Sequence, residues 1–278
     1  SVKSRGLGDV YKRQYPYLLP CLVAGALSMF SLIFAYWKLP ESLPKSKRAK
    51  SDGLGWNARI GKSISQSISM LKTGSISLII WVTMLFIFGF TIMHAVFILY
   101  TGMDISSGGL GYNEAQNGRI FAIIGIAGIV TQGVLIGPLS RRFGPEKLLP
   151  ISCLITGLGL VLVPYTQADW ALAQLFVVVI LIAIGNGIFQ PTSSSLLTTT
   201  AKREGINLGV VMGAQESVSS FARILGPLTG GVVWTFTVSK EWPLDYHTSF
   251  HLCGIVMLFA AFLSTRIKVI SDDIFEES

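Results

Sequence analysis

Charge is what this sequence has least of. Of its 278 residues, 13% are Asp, Glu, Lys or Arg and 51% are hydrophobic, and the mean hydropathy is +0.59. A soluble domain needs more polar surface than this. Cysteine is scarce too. Cys21, Cys153 and Cys253 fall in three separate apolar runs, and an odd number so placed argues against a disulfide framework. No CxxC or Cys/His metal spacing occurs, and GxxxxGK[ST], the phosphate loop, is missing. No nucleophile stands with a base and an orienting group. These absences point to a protein that is not an enzyme and holds no metal or cofactor. The alternation of a membrane β-barrel is missing as well.

What is present is a series of apolar runs about twenty residues long, the length that spans a bilayer as a helix. Seven are read: Pro16–Trp37, Leu78–Tyr100, Gly118–Leu139, Leu148–Tyr165, Trp170–Leu197, Gly209–Phe236 and His251–Arg266. Backbone amides in lipid must be satisfied within the element, so the runs are helices. The expected class is an all-α membrane protein.

The first fourteen residues, SVKSRGLGDVYKRQ, are polar, basic and unlike the rest. They have no apolar core of a signal peptide. DVYKRQ can be written as GAT GTG TAT AAG AGA CAG, the end of a transposase-based library adapter. Residues 1–14 are therefore expected to be a non-native scar on a truncated protein that begins near Tyr15; a short native basic arm is the alternative. Without them the net charge falls from +7 to +4, which weakens a nucleic-acid reading.

The connections alternate in charge. Lys38, Lys45, Lys47, Arg48, Lys50, Arg59, Lys62 and Lys72 follow the first run, and 101–117 has no Lys or Arg. Arg141, Arg142 and Lys147, then Lys202 and Arg203, then Arg266 and Lys268 mark every second connection. Basic connections stay on the cytoplasmic side, so the C-terminus is expected there. Within 39–76, LPESLPKSKRAKSDG reads as a linker. After it Trp56, Ile60, Ile64, Ile68 and Leu71 share one helical face, with Arg59, Lys62 and Lys72 off it. That is an amphipathic helix on the inner leaflet, or a linker with incidental spacing.

Three runs carry no charge in their cores. The fifth ends in GNGIFQPTSSSLLT, with Asn186 and Gln190 one turn apart, and the sixth carries Gln215, Glu216 and Arg223. On a helical wheel Gly209, Gly213, Glu216, Ser219, Ser220, Arg223, Pro227 and Gly230 share a face, opposite Ala214, Val218, Phe221, Leu225, Leu228 and Val232. An arginine in mid-membrane costs about 2.5–3.5 kcal/mol on insertion scales, so it faces water, a partner or a ligand. Glu216 lies about 10.5 Å from it along the axis, too far for an easy direct pair. Its counter-charge is then water-linked, on another helix or outside this sequence. Pro227 cannot donate to the carbonyl of residue 223, so a bend is expected there. Gly226, Gly230 and Gly231 would permit close helix contact. A packing face with a buried arginine is the rival reading. His94 is a titratable candidate in the second run, or an interhelical hydrogen-bonding group.

These residues resemble the major facilitator superfamily. LPESLP, 39–44, is similar to the exit of the sixth helix into the central loop. GPLSRRFGPEK resembles the family's GxLxDRxGRR gating loop at Gly137, Leu139, Arg142 and Gly144, with Arg141 where the acid belongs. Gly213, Ala222, Gly226, Pro227, Gly230 and Gly231 fit G-x8-G-x3-GP-x2-GG, the antiporter motif, with one Gly replaced. The narrower resemblance is to tetracycline and multidrug proton antiporters. It implies residues 15–38 as the last helix of a missing N-terminal half, 39–76 as the cytoplasmic central loop, 77–266 as the C-terminal six-helix bundle and 267–278 as a cytoplasmic tail. It implies a bacterial inner-membrane carrier, working by alternating access with the proton gradient as energy source. Its partners would be a small-molecule substrate, the bilayer and the missing half, and no nucleic acid. Glu216, Arg223, Asn186, Gln190, Gln215 and His94 would line the pathway. An uptake symporter for a sugar, nutrient or organic anion, and a non-transporting receptor or scaffold, are the alternatives.

Overall fold

The computed structural model describes residues 18–39, 61, 65, 68–72, 74–166 and 171–267. Residues 1–14, read above as a scar, most of 39–76 with Trp56, Ile60 and Ile64, and residues 268–278 lie outside the described residues. Among the described residues seven α-helices follow in order: α1 Leu18–Lys38, α2 Gly74–Gly102, α3 Glu114–Val130, α4 Ile136–Leu162, α5 Ala171–Arg203, α6 Leu208–Thr237 and α7 His247–Ser264. Among the described residues there is no strand. The protein is an all-α membrane protein.

The chain divides into two units, Ser1–Gly55 and Trp56–Ser278. In the first, α1 is 21 residues long, with no acid in its first turn and Lys38 in its last. At 1.5 Å per residue it reaches about 31 Å, enough to cross the hydrocarbon core.

The second unit holds the other helices. Among the described residues five stretches are long and apolar enough to cross a membrane: Cys21–Lys38, Gly74–Gly102, Glu114–Tyr165, Ala173–Arg203 and His247–Ser264. The third is 52 residues long, or about 78 Å, more than twice the hydrocarbon thickness. It is broken at Gly144, whose φ of 73° and ψ of 156° only glycine adopts readily. Arg141, Arg142 and Lys147 are exposed around the break, and Pro145 restarts the helix with its φ already set. The stretch is thus two passes joined by a charged corner. Gly144→Ala is expected to destabilise the protein by about 1–3 kcal/mol through backbone strain alone, since a Cβ there meets open space. Thermal unfolding in detergent measures it, and an unchanged midpoint would separate the corner from the backbone of Gly144.

α6 is not among the five apolar stretches. Its glycines, serines, Glu216 and Arg223 dilute it, and packing against α2 places it in the bundle. With α6 counted and the long stretch divided, the helices correspond to the seven runs expected.

Packing follows an internal repeat. α2 lies against α6 and α7; α5 lies against α3 and α4; α4 and α7 pack on each other. The trios α2–α4 and α5–α7 thus pair by corresponding helices, the pattern of repeated halves in carriers. Glycine sets the closeness. A Cβ on Gly185 of α5 would meet Thr156 Oγ1 and come within 2.9 Å of the Thr156 amide nitrogen and 3.0 Å of the Ser152 carbonyl oxygen. At Gly159 it would lie 3.3 Å from the Ile182 nitrogen, and at Gly157 3.0 Å from Met257 Cβ. α2 and α5 are joined by a hydroxyl bridge of 2.6 Å between Thr83 and Ser193 and by stacked Phe86 and Phe189, with ring centroids 3.6 Å apart.

α3 begins on a capping box. The Asn113 side chain accepts from the Gln116 amide, and the Gln116 side chain accepts from the Asn113 amide, both at 2.9 Å. Glu114 therefore opens a helix, where its charge suits the dipole. Farther on, Thr131–Leu135 forms a π-helical turn. Pro138 has no N–H for the carbonyl of residue 134, and the ladder widens just before it.

Candidate functional site

α6 carries the only opposite-charge pair of side chains described within a membrane helix core. Its start is fixed by Asn207, whose side chain accepts from the Gly209 amide at 2.9 Å. From there the helix runs without interruption through Pro227 to Thr237. One stripe of it is buried: Ala214, Ser219, Ala222, Gly226 and Gly230. It faces α2, because a Cβ on Gly226 would strike Thr91 Oγ1 and lie 3.1 Å from the Phe88 carbonyl oxygen, and one on Gly230 would lie 3.2 Å from the Ile92 carbonyl oxygen. The polar face expected from the wheel therefore splits. Ser219 is buried and Gly230 packs on α2, whereas Gly213, Glu216, Ser220, Arg223 and Pro227 are exposed.

Two expectations are corrected here. Arg223 and Glu216 do pair directly, Nη1 to Oε1 at 2.5 Å. Side chains on a helix lean toward its N-terminus, so the long arginine reaches back over two turns to the glutamate on the same face. The second correction concerns glycine. Gly213 and Gly231 have nothing within 4 Å of an added Cβ, so of the motif's glycines only Gly226 and Gly230 mediate close packing.

The pair is 49% exposed at Arg223 and 65% at Glu216. An ion pair so exposed in water contributes about 0.2–1 kcal/mol, far too little for a structural staple. Arg223 sits at the midpoint of α6 and Glu216 about 10 Å nearer its start, on the same exposed stripe. The arrangement can bind an anion, or hand a proton to and from a carboxylate whose partner charge is at hand.

The other candidates stand on α2, on α5 and, as Gln215, directly before Glu216. Asn186 and Gln190 lie at the middle of α5; Gln190 is exposed and Asn186 half-buried. The buried Oδ1 of Asn186 and Oε1 of Gln215 accept no hydrogen bond, a state that favours a later donor. His94 is exposed and tilts against Phe90 at 4.6 Å between centroids. In the loop between the halves of the 52-residue stretch, Gly137 is helical, Gly144 forms the corner, and Arg142 lies 5.5 Å above the Phe143 ring.

Sequence reasoning missed Thr83, Ser193 and Thr91, which link α2 to α5 and α6. Hydroxyls at helix crossings carry no periodic signal. The π-turn was missed as well, although Pro138 hinted at it. At the far end of the bundle His247 Nδ1 pairs with Asp245 Oδ2 at 2.8 Å and His251 Nε2 with the Tyr165 hydroxyl at 2.9 Å. Tyr246 stacks on His247, and burial, then Asp245 and Tyr165, push its hydroxyl up from the usual phenol value.

The chain is similar to curated proteins along most of its length. It is 25% identical to Multidrug resistance protein 2 of Bacillus subtilis over 86% of this chain and 54% of that protein. It is 26% identical to a "probable peptide/nitrate transporter" of Arabidopsis thaliana over 82% of this chain and 49% of that one. It is 27% identical to the class G tetracycline resistance protein of Vibrio anguillarum over 42% and 28%. The chain thus spans about half the length of the first two of these relatives. No solved structure matches it. The family model described as Major Facilitator Superfamily matches residues 13–227 and again 133–271. With a helical bundle built from two like trios and a family match over well more than half its length, the chain belongs to the Major Facilitator Superfamily.

Proposed function

We propose that the chain is part of a secondary carrier that expels small, drug-like molecules in exchange for protons. The exposed Glu216–Arg223 pair, with Arg223 at the midpoint of α6, carries this reading, and the resistance proteins among the relatives give its direction. In the whole protein α1 is the last helix of an N-terminal half, 39–76 the central loop and α2–α7 the C-terminal bundle. The basic ends of α4, α5 and α7 face the cytoplasm, and the membrane is a bacterial inner membrane. Substrate binds between the halves, which rock around it.

Glu216 takes up a proton and thereby loses the charge that holds Arg223. The released guanidinium can then turn to an anionic group of the substrate or of the other half. Asn186 and Gln215 offer acceptors, Gln190 a donor and an acceptor, and His94 a second proton site.

A second reading, an uptake symporter for a nutrient or organic anion, is favoured by the peptide/nitrate relative and by the arginine. Counterflow in proteoliposomes of the full-length parent separates the two. Efflux predicts exchange of lipophilic drugs and drug accumulation when protons are driven the opposite way. Exchange of nitrate or peptide, with drugs inert, would replace the first reading by the second.

A further inference from the structure

The close contact of α2 with α6 at Thr91 and Gly226 gives way, toward the start of both helices, to an apolar groove of about 600 Å³. Its walls are Trp81, Met84 and Phe88 of α2 and Val218, Phe221 and Leu225 of α6. Ile68 and Leu71 close one end. The lining's one hydroxyl, Ser217, already donates to the Gly213 carbonyl at 2.8 Å, and apart from the indole N–H of Trp81 the remaining side chains are apolar, so the groove suits hydrocarbon.

Three observations say which hydrocarbon. From Ala214 to Leu225 the groove follows α6 for about 16 Å, close to the ~15 Å of one leaflet's acyl region, and Leu225 is near the midpoint of α6. Leu225 is nine residues from Glu216, which puts it on the opposite side of the helix, so the groove does not open on the polar stripe. Finally, the foot is cationic. Lys72 is exposed directly after Leu71, and residues 56–72 contain Arg59, Lys62 and Lys72 and no acid. Anionic headgroups gather at such segments, and Trp81 stands where aromatic anchors do.

We propose that this groove is a site for one acyl chain of an anionic phospholipid, its headgroup held at Lys72. The proposal rests on the orientation given above, with the starts of α2 and α6 in the inner leaflet. The chain reconstituted in vesicles tests it through Trp81 emission, isolated as the difference from Trp81→Phe. Phosphatidylglycerol with brominated acyl chains should half-quench that signal at about a fivefold lower mole fraction than brominated phosphatidylcholine, the worth of one lysine at an anionic surface. Lys72→Gln should remove the preference and keep the quenching; Ser217→Phe, at an exposed position, should fill the groove and weaken both. Circular dichroism confirms that each variant folds. Equal quenching by the two lipids overturns the proposal, as does a preference that survives both substitutions. A Trp81 that neither lipid reaches means another helix covers the groove, and recovery of its emission by a lipophilic drug alone assigns the groove to small molecules; either outcome overturns it. No step reads transport, so failure here leaves the role of Glu216 untouched.

Discussion

Glu216→Gln in the full-length parent is expected to abolish proton-driven efflux while leaving membrane insertion and substrate counterflow in place. Glutamine keeps the size of the side chain and still accepts from Arg223, but it cannot bind and release a proton. The pair's small structural worth, about 0.2–1 kcal/mol at this exposure, means that the bundle will not miss it. The loss should therefore fall on coupling alone. Vesicles with an imposed pH gradient measure net drug movement, and the same vesicles without one measure exchange. Wild-type efflux in the variant would remove Glu216 from the proton path. Loss of exchange together with efflux, at normal expression, would make it a substrate ligand instead.

Gly226→Val should prevent α6 from docking on α2, whereas Gly231→Ala should leave the protein as stable as before or more so. The antiporter-like motif treats the two glycines as equivalents. The packing does not. A Cβ on Gly226 runs into Thr91 and the Phe88 carbonyl, and one on Gly231 meets nothing within 4 Å. Overpacking a core costs typically about 1–3 kcal/mol and more for a branched side chain against backbone; alanine in a helix where its Cβ has open space gains about 0.5–1 kcal/mol over glycine. Size-exclusion melts in detergent should show Gly226→Val as low-melting or aggregated and Gly231→Ala unshifted or higher. Equal effects at the two positions would refute the close contact.

Much of the architecture was written along the chain because each signal was local. Runs of apolar residues set the passes through the demand that lipid places on backbone amides. Gly144 and the charges around it marked the corner, whereas the cap at Asn113 and Gln116, ahead of the run that opens at Gly118, emerged only in the structure. The candidate site was half legible. Composition placed Glu216 and Arg223 on one face, but their contact depended on side-chain reach, which a wheel of Cα positions leaves out.

The sequence alone determined an all-helical membrane chain, its passes, the break at Gly144 and the helix that carries the charges, since all of these follow from hydropathy and backbone conformation within a few neighbouring residues. Only the tertiary structure decided which glycines are contacts, that Glu216 and Arg223 meet, that Thr83 reaches Ser193 110 residues away, and that α2 and α6 part to leave a groove. Those depend on the distance between helices, which is set by side chains on both partners at once.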